Sequence, residues 1–441
     1  MRTIQIASSQ SILEEKLRDR TARVGIVGLG YVGLPLAVEY AKAGFHVTGI
    51  DVLEKKVASI NAGESYVQDV DGECMKALVD SGFLTATTDF SAIAELDTVN
   101  ICVPTPLRKT KDPDMSYIVE AGRQIAKYTH PGLLVILEST TYPGTTEELL
   151  LPMLEKPDYE VGKDFFLCFS PERVDPGNPL YQTVNIPKVV GGVTPACTEM
   201  GRVFYSQALE TVIPTTNTRV AEMVKLLENT FRMINIGLVN EIAVMCDGMG
   251  INVWEVIDAA ATKPFGFMPF YPGPGLGGHC IPIDPFYLSW KSKQSGIEAR
   301  FIELAGYING RMPHFVVEKI QNALNDRSKP VRGSHIHVLG VAYKRDIDDV
   351  RESPALDIIH LLTQRGARIT YSDPHVPQIK FDGGEILSAE EMEPAMGAAD
   401  AVVIITDHTS FDYERIVERA QVIVDTRNAL KHFKSPNIVR L

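Results

Sequence analysis

Short apolar runs alternate with amphipathic stretches through the first third of the chain. We predict strands over residues 24–27, 45–51, 97–103 and 133–137, and a helix over residues 31–43. Strands that alternate with helices are typical of a parallel sheet, whose ligands bind beside the carboxyl ends of its strands. The loops that follow the third and fourth of these strands are therefore expected to lie near a bound ligand.

A second set of apolar runs near the end of the chain resembles the first set. This set begins with a predicted strand at residues 335–340, and residues 366–373 closely match residues 44–51. Two later runs, at residues 399–405 and 422–425, correspond to the third and fourth strands of the first set. We interpret the similarity as a degenerate internal repeat, and hence as a second domain of the same fold.

The loop after the first strand carries a glycine motif. Its residues are Gly28, Leu29, Gly30, Tyr31, Val32 and Gly33. Glycines at this spacing let a pyrophosphate approach the backbone at a helix N-terminus, where N–H groups favour negative charge. Asp51, at the end of the next strand, would bind the ribose hydroxyls and repel a 2′-phosphate, so we predict NAD rather than NADP. The second copy has Gly340-Val341-Ala342-Tyr343-Lys344 instead, which predicts a nucleotide site but not a second NAD site.

Between the two copies, residues 218–248 carry apolar side chains at helical spacing. A helix of about thirty residues exceeds the roughly 8–20 typical of globular proteins, so we expect it to link domains or subunits and predict a homodimer. The predicted fold class is α/β, with two Rossmann-like doubly wound domains joined by a long central helix and a helical domain. We predict an N-terminal extension at 1–20 and domains at 21–212, 213–325 and 326–441.

The 441 residues carry a formal net charge of −13, and 45% of them are hydrophobic. This charge argues against general binding to nucleic acid or to an anionic membrane, because both need a basic face. No apolar run approaches the ~20 residues that span a bilayer, and the N-terminal residues lack the apolar core of a signal peptide, so we expect a cytoplasmic protein. The six cysteines form no CxxC pair, which argues against a disulfide framework and a zinc site.

Cys280 lies in a loop rich in glycine and proline, at residues 271–285. Most free cysteines are small buried hydrophobic residues, and that interpretation stays open here. The adjacent glycine pair and the neighbouring His279 and Asp284 favour a reactive nucleophile instead.

Other polar positions could line a site. Lys225 and Asn229 lie one helical turn apart, so they share a face that either lines a polar pocket or is solvated. Glu172 follows an apolar strand and is either functional or an ordinary loop carboxylate. Lys344 and Arg351 belong to a cationic cluster at the expected ligand crevice of the repeat, although its interleaved aspartates also fit a mixed-charge loop.

Taken together, these segments resemble the UDP-glucose/GDP-mannose dehydrogenase family from about Val24 to the C-terminus. The stretch at residues 263–275, continuing through Cys280 and Asp284, looks most like the branch that oxidises UDP-N-acetylglucosamine. The resemblance implies that the first domain binds NAD, that the central domain dimerises and that the last domain binds the UDP-sugar. It also implies that two NAD molecules oxidise the C6 hydroxyl of the sugar to a carboxylate.

The resemblance further implies a covalent route through Cys280. The thiol adds to the C6 aldehyde to give a thiohemiacetal, a second oxidation gives a thioester, and water releases the acid. By the same resemblance, Lys225 and Asn229 stabilise the oxyanion. Asp284 helps to activate Cys280 or water, and Thr140 positions water.

Glu172 is implied as a base in thioester hydrolysis. The choice between Glu172 and Asp284 stays open, because a second Glu that UDP-glucose dehydrogenases often carry four residues later is Pro176 here. Further implied NAD contacts are Lys56, Val103, Pro104, Thr105, Ser139, Thr140 and Arg351. Implied UDP-sugar contacts are Glu172, Arg173, Lys225, Asn229, Phe270, Tyr271, Gly275, Gly277, Lys344 and Arg427.

We predict UDP-N-acetylglucosamine as the sugar, and a role in the synthesis of a surface polysaccharide such as an O-antigen or capsule. The alternatives are UDP-N-acetylmannosamine, UDP-N-acetylgalactosamine and UDP-glucose. UDP-glucose is disfavoured by Ile283 and Pro264, which replace residues often found in UDP-glucose dehydrogenases. More distant alternatives are a one-step β-hydroxyacid dehydrogenase, which predicts no repeat and no need for Cys280, and an inactive nucleotide-sugar sensor.

Overall fold

The computed structural model describes residues 8–67, 70–108, 112–175, 178, 180–381, 384–389 and 392–441. Pro176 and the first seven residues of the predicted N-terminal extension lie outside the described residues. The described residues divide into two compact units. The first consists of the chain up to Glu228 together with Trp290–Ser295, and the second of Asn229–Ser289 together with Gly296–Leu441.

The first unit is built on an eight-stranded sheet. Its strands are β1 (Arg23–Val27), β2 (His46–Ile50), β3 (Leu84–Thr87), β4 (Thr98–Ile101), β5 (Leu134–Leu137), β6 (Phe166–Phe169), β7 (Lys188–Gly192) and β8 (Val212–Pro214). They pair in the order β3-β2-β1-β4-β5-β6-β7-β8, and every pair is parallel except β6 with β7. The run from β3 to β6 has the strand order of a dinucleotide-binding Rossmann domain, which confirms the predicted fold.

Helices cover both faces of this sheet. They include α1 (Ser9–Arg18), α2 (Gly33–Lys42), α3 (Glu54–Asn61), α4 (Gly72–Asp80), α5 (Ser116–Tyr128), α6 (Leu151–Leu154) and α7 (Pro195–Tyr205), with a 3-10 segment at Phe90–Glu95 and a π-helical turn at Thr146–Leu150. Along β5, Leu134 and Ile136 pack into one core while Val135 and Leu137 pack into another. Both faces of the strand are therefore apolar, as expected for a covered parallel sheet.

The second unit contains a parallel five-stranded sheet and an antiparallel hairpin. Its strands are β9 (His335–Leu339), β10 (Arg368–Ser372), β11 (Gln378–Phe381), β12 (Gly384–Leu387), β13 (Ala401–Ile404), β14 (Ile423–Asp425) and β15 (Ile438–Arg440). The order β10-β9-β13-β14-β15 reproduces the order β2-β1-β4-β5-β6 of the first unit. This agreement confirms the second Rossmann-like domain. The β11–β12 hairpin follows β10 where the first unit has β3.

Among the described residues, two helices belong in part to each unit, and five more lie in the second. The shared helices are α8 (Thr218–Met249) and α10 (Asp284–Gln294); the others are α9 (Val253–Ala261), α11 (Arg300–Asn325), α12 (Pro354–Gln364), α13 (Met392–Gly397) and α14 (Tyr413–Arg419). The predicted long helix is α8. Helix α2 begins two residues later than predicted, because the glycine loop continues to Val32. Within the described ranges, no helix combines the length and apolarity that crossing a membrane requires.

The glycine loop fits tightly between β1 and α2. Gly28 follows β1 with a φ of +93°, in the left-handed region that favours glycine. A Cβ on Gly33 would lie 1.9 Å from the carbonyl oxygen of Gly28, so α2 packs directly against the loop. A Cβ on Gly30 would meet no atom of the described residues within 4 Å. The first and last glycines are thus required by the fold, whereas the middle glycine keeps space open.

We expect Gly33→Ala to lower the free energy of unfolding by about 1–3 kcal/mol, because the added methyl group overpacks the contact with Gly28. Urea denaturation followed by circular dichroism measures the change. Gly30→Ala is the matched control and should unfold as the wild type does. Equal stability of the two variants would contradict the tight contact.

Candidate active site

Asp51 holds the glycine loop from the end of β2. Its Oδ2 accepts the N–H of Leu29 at 2.9 Å, and its Oδ1 accepts the N–H of Leu53 at 3.0 Å. Lys56, in the first turn of α3, donates to Asp51 Oδ2 at 3.1 Å. The predicted ribose acid and the predicted Lys56 therefore lie together beside the glycine loop, at the carboxyl edge of the sheet.

Tyr66 also holds this loop, and no pattern in the sequence indicated it. Its hydroxyl donates to the carbonyl oxygen of Leu29 at 2.6 Å. Burial, together with the charge of Asp51, raises the pKa of Tyr66, so the hydroxyl remains protonated. The two partners are 37 residues apart in sequence, and local periodicity therefore carries no signal of the contact.

Ser139 connects the loops that follow β4 and β5. Its hydroxyl lies 3.2 Å from the carbonyl oxygen of Ile101 and 2.7 Å from that of Val103. Thr140, the next residue, is half-buried, while Pro104 is exposed. Parallel pairing brings these loops to the same edge of the sheet as the glycine loop. The backbone N–H groups of that loop, the open space at Gly30 and the acid after β2 fit a dinucleotide.

Glu222 fixes the rest of the loop after β5, and no pattern in the sequence singles it out. This fully buried carboxylate of α8 accepts the N–H of Gly144 at 2.5 Å, the N–H of Thr146 at 2.9 Å and the Thr146 hydroxyl at 2.7 Å. Burial raises the pKa of Glu222 to about 7, although the three hydrogen bonds oppose the shift. Glu222 therefore joins the loop of Ser139 and Thr140 to the helix of Lys225.

The predicted pair on α8 is not solvated, since Lys225 is only 8% exposed and Asn229 only 5%. In the second unit, Asn229 Nδ2 donates to Oδ2 of the buried Asp284 at 2.5 Å. Asp284 begins α10, and its backbone N–H donates to the carbonyl oxygen of Cys280 at 2.8 Å. The structure thus brings Asn229, Cys280 and Asp284 together, while Lys225 belongs to the first unit.

The loop that contains Cys280 is called the cysteine loop here. It packs against the second Rossmann-like domain, called the repeat domain, within the second unit. The N–H of Gly278 donates to the carbonyl oxygen of Arg351 at 3.0 Å, and a Cβ on Gly277 would lie 2.5 Å from the Tyr343 side chain. A Cβ on Gly273 would lie 2.7 Å from Nη1 of Arg427. The cysteine loop, which includes the predicted Gly277, therefore contacts the predicted Arg351 and Arg427.

Phe270 and Tyr271 start this loop and pack against helices. Phe270 meets Phe231 of α8 edge-on, with 5.7 Å between ring centroids. Tyr271 stacks on Trp254 of α9, and its hydroxyl donates to Asp258 at 3.0 Å. Both predicted sugar contacts thus also anchor the start of the cysteine loop.

The repeat domain uses Asp373 as the first domain uses Asp51. Asp373 follows β10, and its Oδ2 accepts the N–H groups of Val341 and Ala342 at 2.7 and 3.1 Å. The same oxygen lies 3.0 Å from Nε2 of the buried His408. Burial alone would raise the pKa of Asp373, but the hydrogen bonds from His408 and the amides lower it. In the first domain the matching acid, Asp51, is predicted to bind a ribose. In the repeat domain, His408 already contacts this acid.

Cationic side chains surround this part of the repeat domain. Arg345 forms an ion pair with Asp407, and Arg351 forms one with Asp349 at 2.6 Å. Such ion pairs are typical of a mixed-charge loop. The guanidinium of Arg427 is in a different environment, because burial and then the charge of Arg345 lower the pKa of Arg427 to about 10. A cation destabilised in this way favours an anionic ligand such as a pyrophosphate.

Asp346, His375 and His408 form a group whose composition and spacing could suit a metal ion. Two features oppose that use. Nδ1 of His408 accepts the backbone N–H of Asp346 at 3.0 Å, and the Asp346 carboxylate accepts the N–H of Thr409 at 2.9 Å. We interpret the group as a hydrogen-bonded connection between two loops.

Glu172 and Arg173 are both ion-paired in the first unit. Glu172 Oε2 lies 2.9 Å from Nζ of Lys188, and Arg173 Nη2 lies 2.6 Å from Oε1 of Glu228. Lys188 also lies 3.2 Å from Glu138 Oε2. Glu172 is therefore held by an ion pair rather than solvated, and its role in the reaction stays a prediction. Sequence reasoning missed Lys188, because its partners Glu138 and Glu172 lie 50 and 16 residues away in the chain.

These features define an NAD-dependent dehydrogenase with an added nucleotide-binding type of domain. They are a Rossmann sheet with an NAD-type loop, a cysteine loop and a second Rossmann-like domain. The chain belongs to the UDP-glucose/GDP-mannose dehydrogenase family. The NAD binding domain of that family matches residues 22–209, the central domain residues 219–311 and the UDP binding domain residues 337–432.

Individual relatives match nearly the whole chain. An NDP-N-acetyl-D-galactosaminuronic acid dehydrogenase of Ralstonia nicotianae is 37% identical, over 92% of this chain and 95% of its own. A UDP-N-acetyl-D-mannosamine dehydrogenase of Escherichia coli K12 is 36% identical, over 88% of this chain and 94% of its own. The solved structure of a UDP-D-ManNAc dehydrogenase from Pyrococcus horikoshii is 34% identical, with a TM-score of 0.85 over 95% of this chain and 98% of that chain.

We expect Glu222→Gln to flatten part of the pH dependence of stability. The pKa of this carboxyl is 4.5 in its ordinary state and about 7 in the folded protein. The stability that it contributes is therefore present below pH 4.5 and is lost as the pH rises through 7. The loss amounts to about 3 kcal/mol at roughly 1.4 kcal/mol per pKa unit.

Urea denaturation at several pH values from 4.5 to 8 tests this expectation. The free energy of unfolding of the wild type should fall more steeply with rising pH than that of Glu222→Gln. Glu120→Gln, which removes an exposed carboxylate of α5, is the control and should keep the wild-type slope. A wild-type slope in Glu222→Gln would show that Glu222 does not titrate as described.

Proposed function

We propose that the protein oxidises C6 of a UDP-N-acetylhexosamine to a carboxylate in two NAD-dependent steps. The observation that carries the proposal is the hydrogen-bonded group in which Asn229 contacts Asp284 and Asp284 contacts the Cys280 backbone. A one-step hydroxyacid dehydrogenase would need neither this group nor a second Rossmann-like domain. An inactive sensor would need no buried Asn and Asp beside a cysteine.

In the proposed mechanism, Cys280 is the nucleophile. NAD, when bound beside the glycine loop, would supply the hydride acceptor for C6 in each oxidation. After the first oxidation the Cys280 thiolate adds to the aldehyde, and Lys225 and Asn229 stabilise the oxyanion that forms. The second oxidation leaves a thioester. Water then attacks the carbonyl carbon and gives a proton to Glu172 or Asp284, the C–S bond breaks, and the Cys280 thiolate leaves as the acid is released.

The 2-acetamido sugar is supported by the relatives, whereas the epimer is open. The names of the Ralstonia nicotianae and Escherichia coli proteins point to galacto and manno sugars. The UDP-N-acetylglucosamine predicted from the sequence differs from the manno sugar at C2 and from the galacto sugar at C4. It stays a prediction, as do the role in surface polysaccharide synthesis and the cytoplasmic location.

We expect the purified protein to form two NADH for each molecule of a UDP-N-acetylhexosamine consumed. Absorbance at the NADH band and chromatography of the sugar, with the gluco, manno and galacto compounds and UDP-glucose in parallel, measure the ratio. The best substrate identifies the epimer. A ratio of one, or no NADH with any of these sugars, would contradict the proposed function.

Cys280→Ser tests the covalent step in the same assay. The variant should make no uronate, because a serine hydroxyl at neutral pH adds to the aldehyde poorly and leaves no thioester. Its affinity for the UDP-sugar, measured by calorimetry, should stay close to that of the wild type. Cys74→Ser, which changes another half-buried cysteine, is the control and should keep full activity.

We also propose that the protein is a homodimer through α8 and α11. An exposed apolar stripe follows one face of α8, with Leu238 54% and Met245 52% exposed. On α11, Phe301, Leu304 and Tyr307 are at least half exposed, at 74%, 55% and 62%. Apolar surface of this extent is rare on monomers and supports a covered interface.

Leu238→Glu should therefore shift the protein from dimer to monomer, because a buried carboxylate without a partner is costly in an interface. Light scattering coupled to gel filtration at micromolar concentration measures the mass. Leu387→Glu introduces the same charge at an exposed leucine of β12 and should leave the mass of the wild type unchanged. The proposal fails if the wild type is a monomer or if Leu238→Glu remains a dimer.

A further inference from the structure

Leu29, the second residue of the glycine motif, is held at three points. Its N–H donates to Asp51 Oδ2 at 2.9 Å, and its carbonyl oxygen accepts the Tyr66 hydroxyl at 2.6 Å. Its side chain is fully buried, and a Cβ on Gly49 would lie 2.7 Å from Leu29 Cδ2, so the leucine packs directly onto β2. Two of the three contacts therefore come from β2 and the residue that follows it, whereas the Tyr66 contact comes from a separate loop.

The loop that carries Tyr66, between α3 and α4, is itself fixed on both sides. Before it, the N–H of Glu64 donates to the carbonyl oxygen of Ser59 in α3 at 2.9 Å. The Ser65 hydroxyl donates to the carbonyl oxygen of Val67 at 2.9 Å. Val67 is only 4% exposed and belongs to the same core cluster as the buried side chains of α2. Because Tyr66 lies between these anchors, it can hold the glycine loop rather than follow its movements.

Holding the carbonyl group of Leu29 also restricts the next residue of the glycine loop. The carbonyl of Leu29 and the N–H of Gly30 belong to one planar peptide group, so neither can rotate without the other. Gly30 lies three residues before α2 begins, and a glycine backbone by itself has access to many conformations. The Tyr66 hydroxyl, together with Asp51, therefore limits the conformations that lead into the N-terminus of α2.

We propose that Tyr66 is a positioning residue for NAD, which holds the glycine loop in the conformation that receives the pyrophosphate. The pyrophosphate would bind to backbone N–H groups at the start of α2, and Tyr66 acts on it through Leu29. A loop that already has its bound conformation loses less conformational freedom when the ligand binds, so this contact increases affinity. The inference concerns the cofactor site alone and does not depend on which sugar is oxidised.

The ring of Tyr66 is 37% exposed, and a direct contact between this ring and the adenosine of NAD would be a different role. The two roles affect different parts of the cofactor. A loop held through Leu29 affects ligands that contain the pyrophosphate, such as NAD and ADP-ribose. A direct ring contact affects adenosine, which has no phosphate.

Tyr66→Phe removes the hydroxyl and keeps the ring. We expect the Kd values of NAD and ADP-ribose, measured by calorimetry without any sugar, to rise about fivefold, as for one lost hydrogen bond. The affinity for adenosine, measured by ligand-observed NMR, should stay that of the wild type. Tyr159→Phe is the matched control and should bind all three ligands normally, because Tyr159 is half-buried in the loop before β6, at the amino edge of the sheet.

Two results of these binding measurements would overturn the inference. One is wild-type affinity of Tyr66→Phe for NAD and ADP-ribose. The other is an equal loss of affinity for adenosine, since the tyrosine would then contact the nucleoside directly.

Hydrogen exchange followed by mass spectrometry tests the contact with Leu29 in the absence of any ligand. In Tyr66→Phe, the amides of residues 29–33 should exchange faster than in the wild type, while those of β5 keep their rates. Unchanged exchange at residues 29–33 would overturn the inference. Faster exchange in β5 as well would also overturn it, because the hydroxyl would then support the whole domain rather than the glycine loop.

Steady-state kinetics separates positioning of the cofactor from a general structural role. In Tyr66→Phe, KM for NAD should rise about fivefold, while kcat and KM for the sugar change by less than about twofold. A fall in kcat with an unchanged KM for NAD would overturn the inference. Formation of no NADH with any sugar would count against the proposed function alone, because binding of NAD and ADP-ribose is measured without a sugar.

Discussion

Parallel pairing of strands is the constraint on which the rest of this structure depends. Because β1, β2, β4, β5 and β6 run in one direction, the loops that follow them emerge at one edge of the sheet. Strand direction alone therefore places four polar features at that edge: the glycine loop, Asp51, Ser139 and Glu172. The repeat applies the same constraint to Asp373 and to the cationic loop after β9. Each domain thus presents its polar groups where its sheet ends.

Buried carboxylates then fix the conformation of the loops at these edges. Asp51, Glu222 and Asp373 accept backbone N–H groups from loops that precede or follow them by 22 to 78 residues. A carboxylate loses solvation when it is buried, and several amide donors are needed to offset the loss. Glu222 shows how close this balance is, since three hydrogen bonds still leave its pKa raised to about 7. Such carboxylates hold a loop in one conformation, which a binding site for a cofactor requires.

The two copies of the repeat share the parallel sheet and differ in which side chain contacts the acid after the second strand. In the first copy, Asp51 is contacted by Lys56. In the second, His408 lies against Asp373 and also accepts the N–H of Asp346. The first copy keeps a glycine at position 30 where a side chain would have free space among the described residues, while the second has an alanine at the matching place. A common fold therefore supports the family's NAD binding domain in one half and its UDP binding domain in the other.

The sequence by itself determined the long helix α8, the repeat, the glycine loop and the strands that the two copies share, which are β1, β2, β4, β5, β9, β10, β13 and β14. Apolar runs, helical spacing and a motif of six residues are local signals. The sequence also singled out Cys280, Lys225 and Asn229, but left open whether Lys225 and Asn229 face solvent. Only the tertiary structure decided that both are buried, that Tyr66, Glu222 and Lys188 hold loops of the first unit, and that His408 contacts Asp373 in the second. The physical reason is that a buried charge or hydroxyl is defined by partners from distant strands and helices, and no local pattern encodes which partners those are.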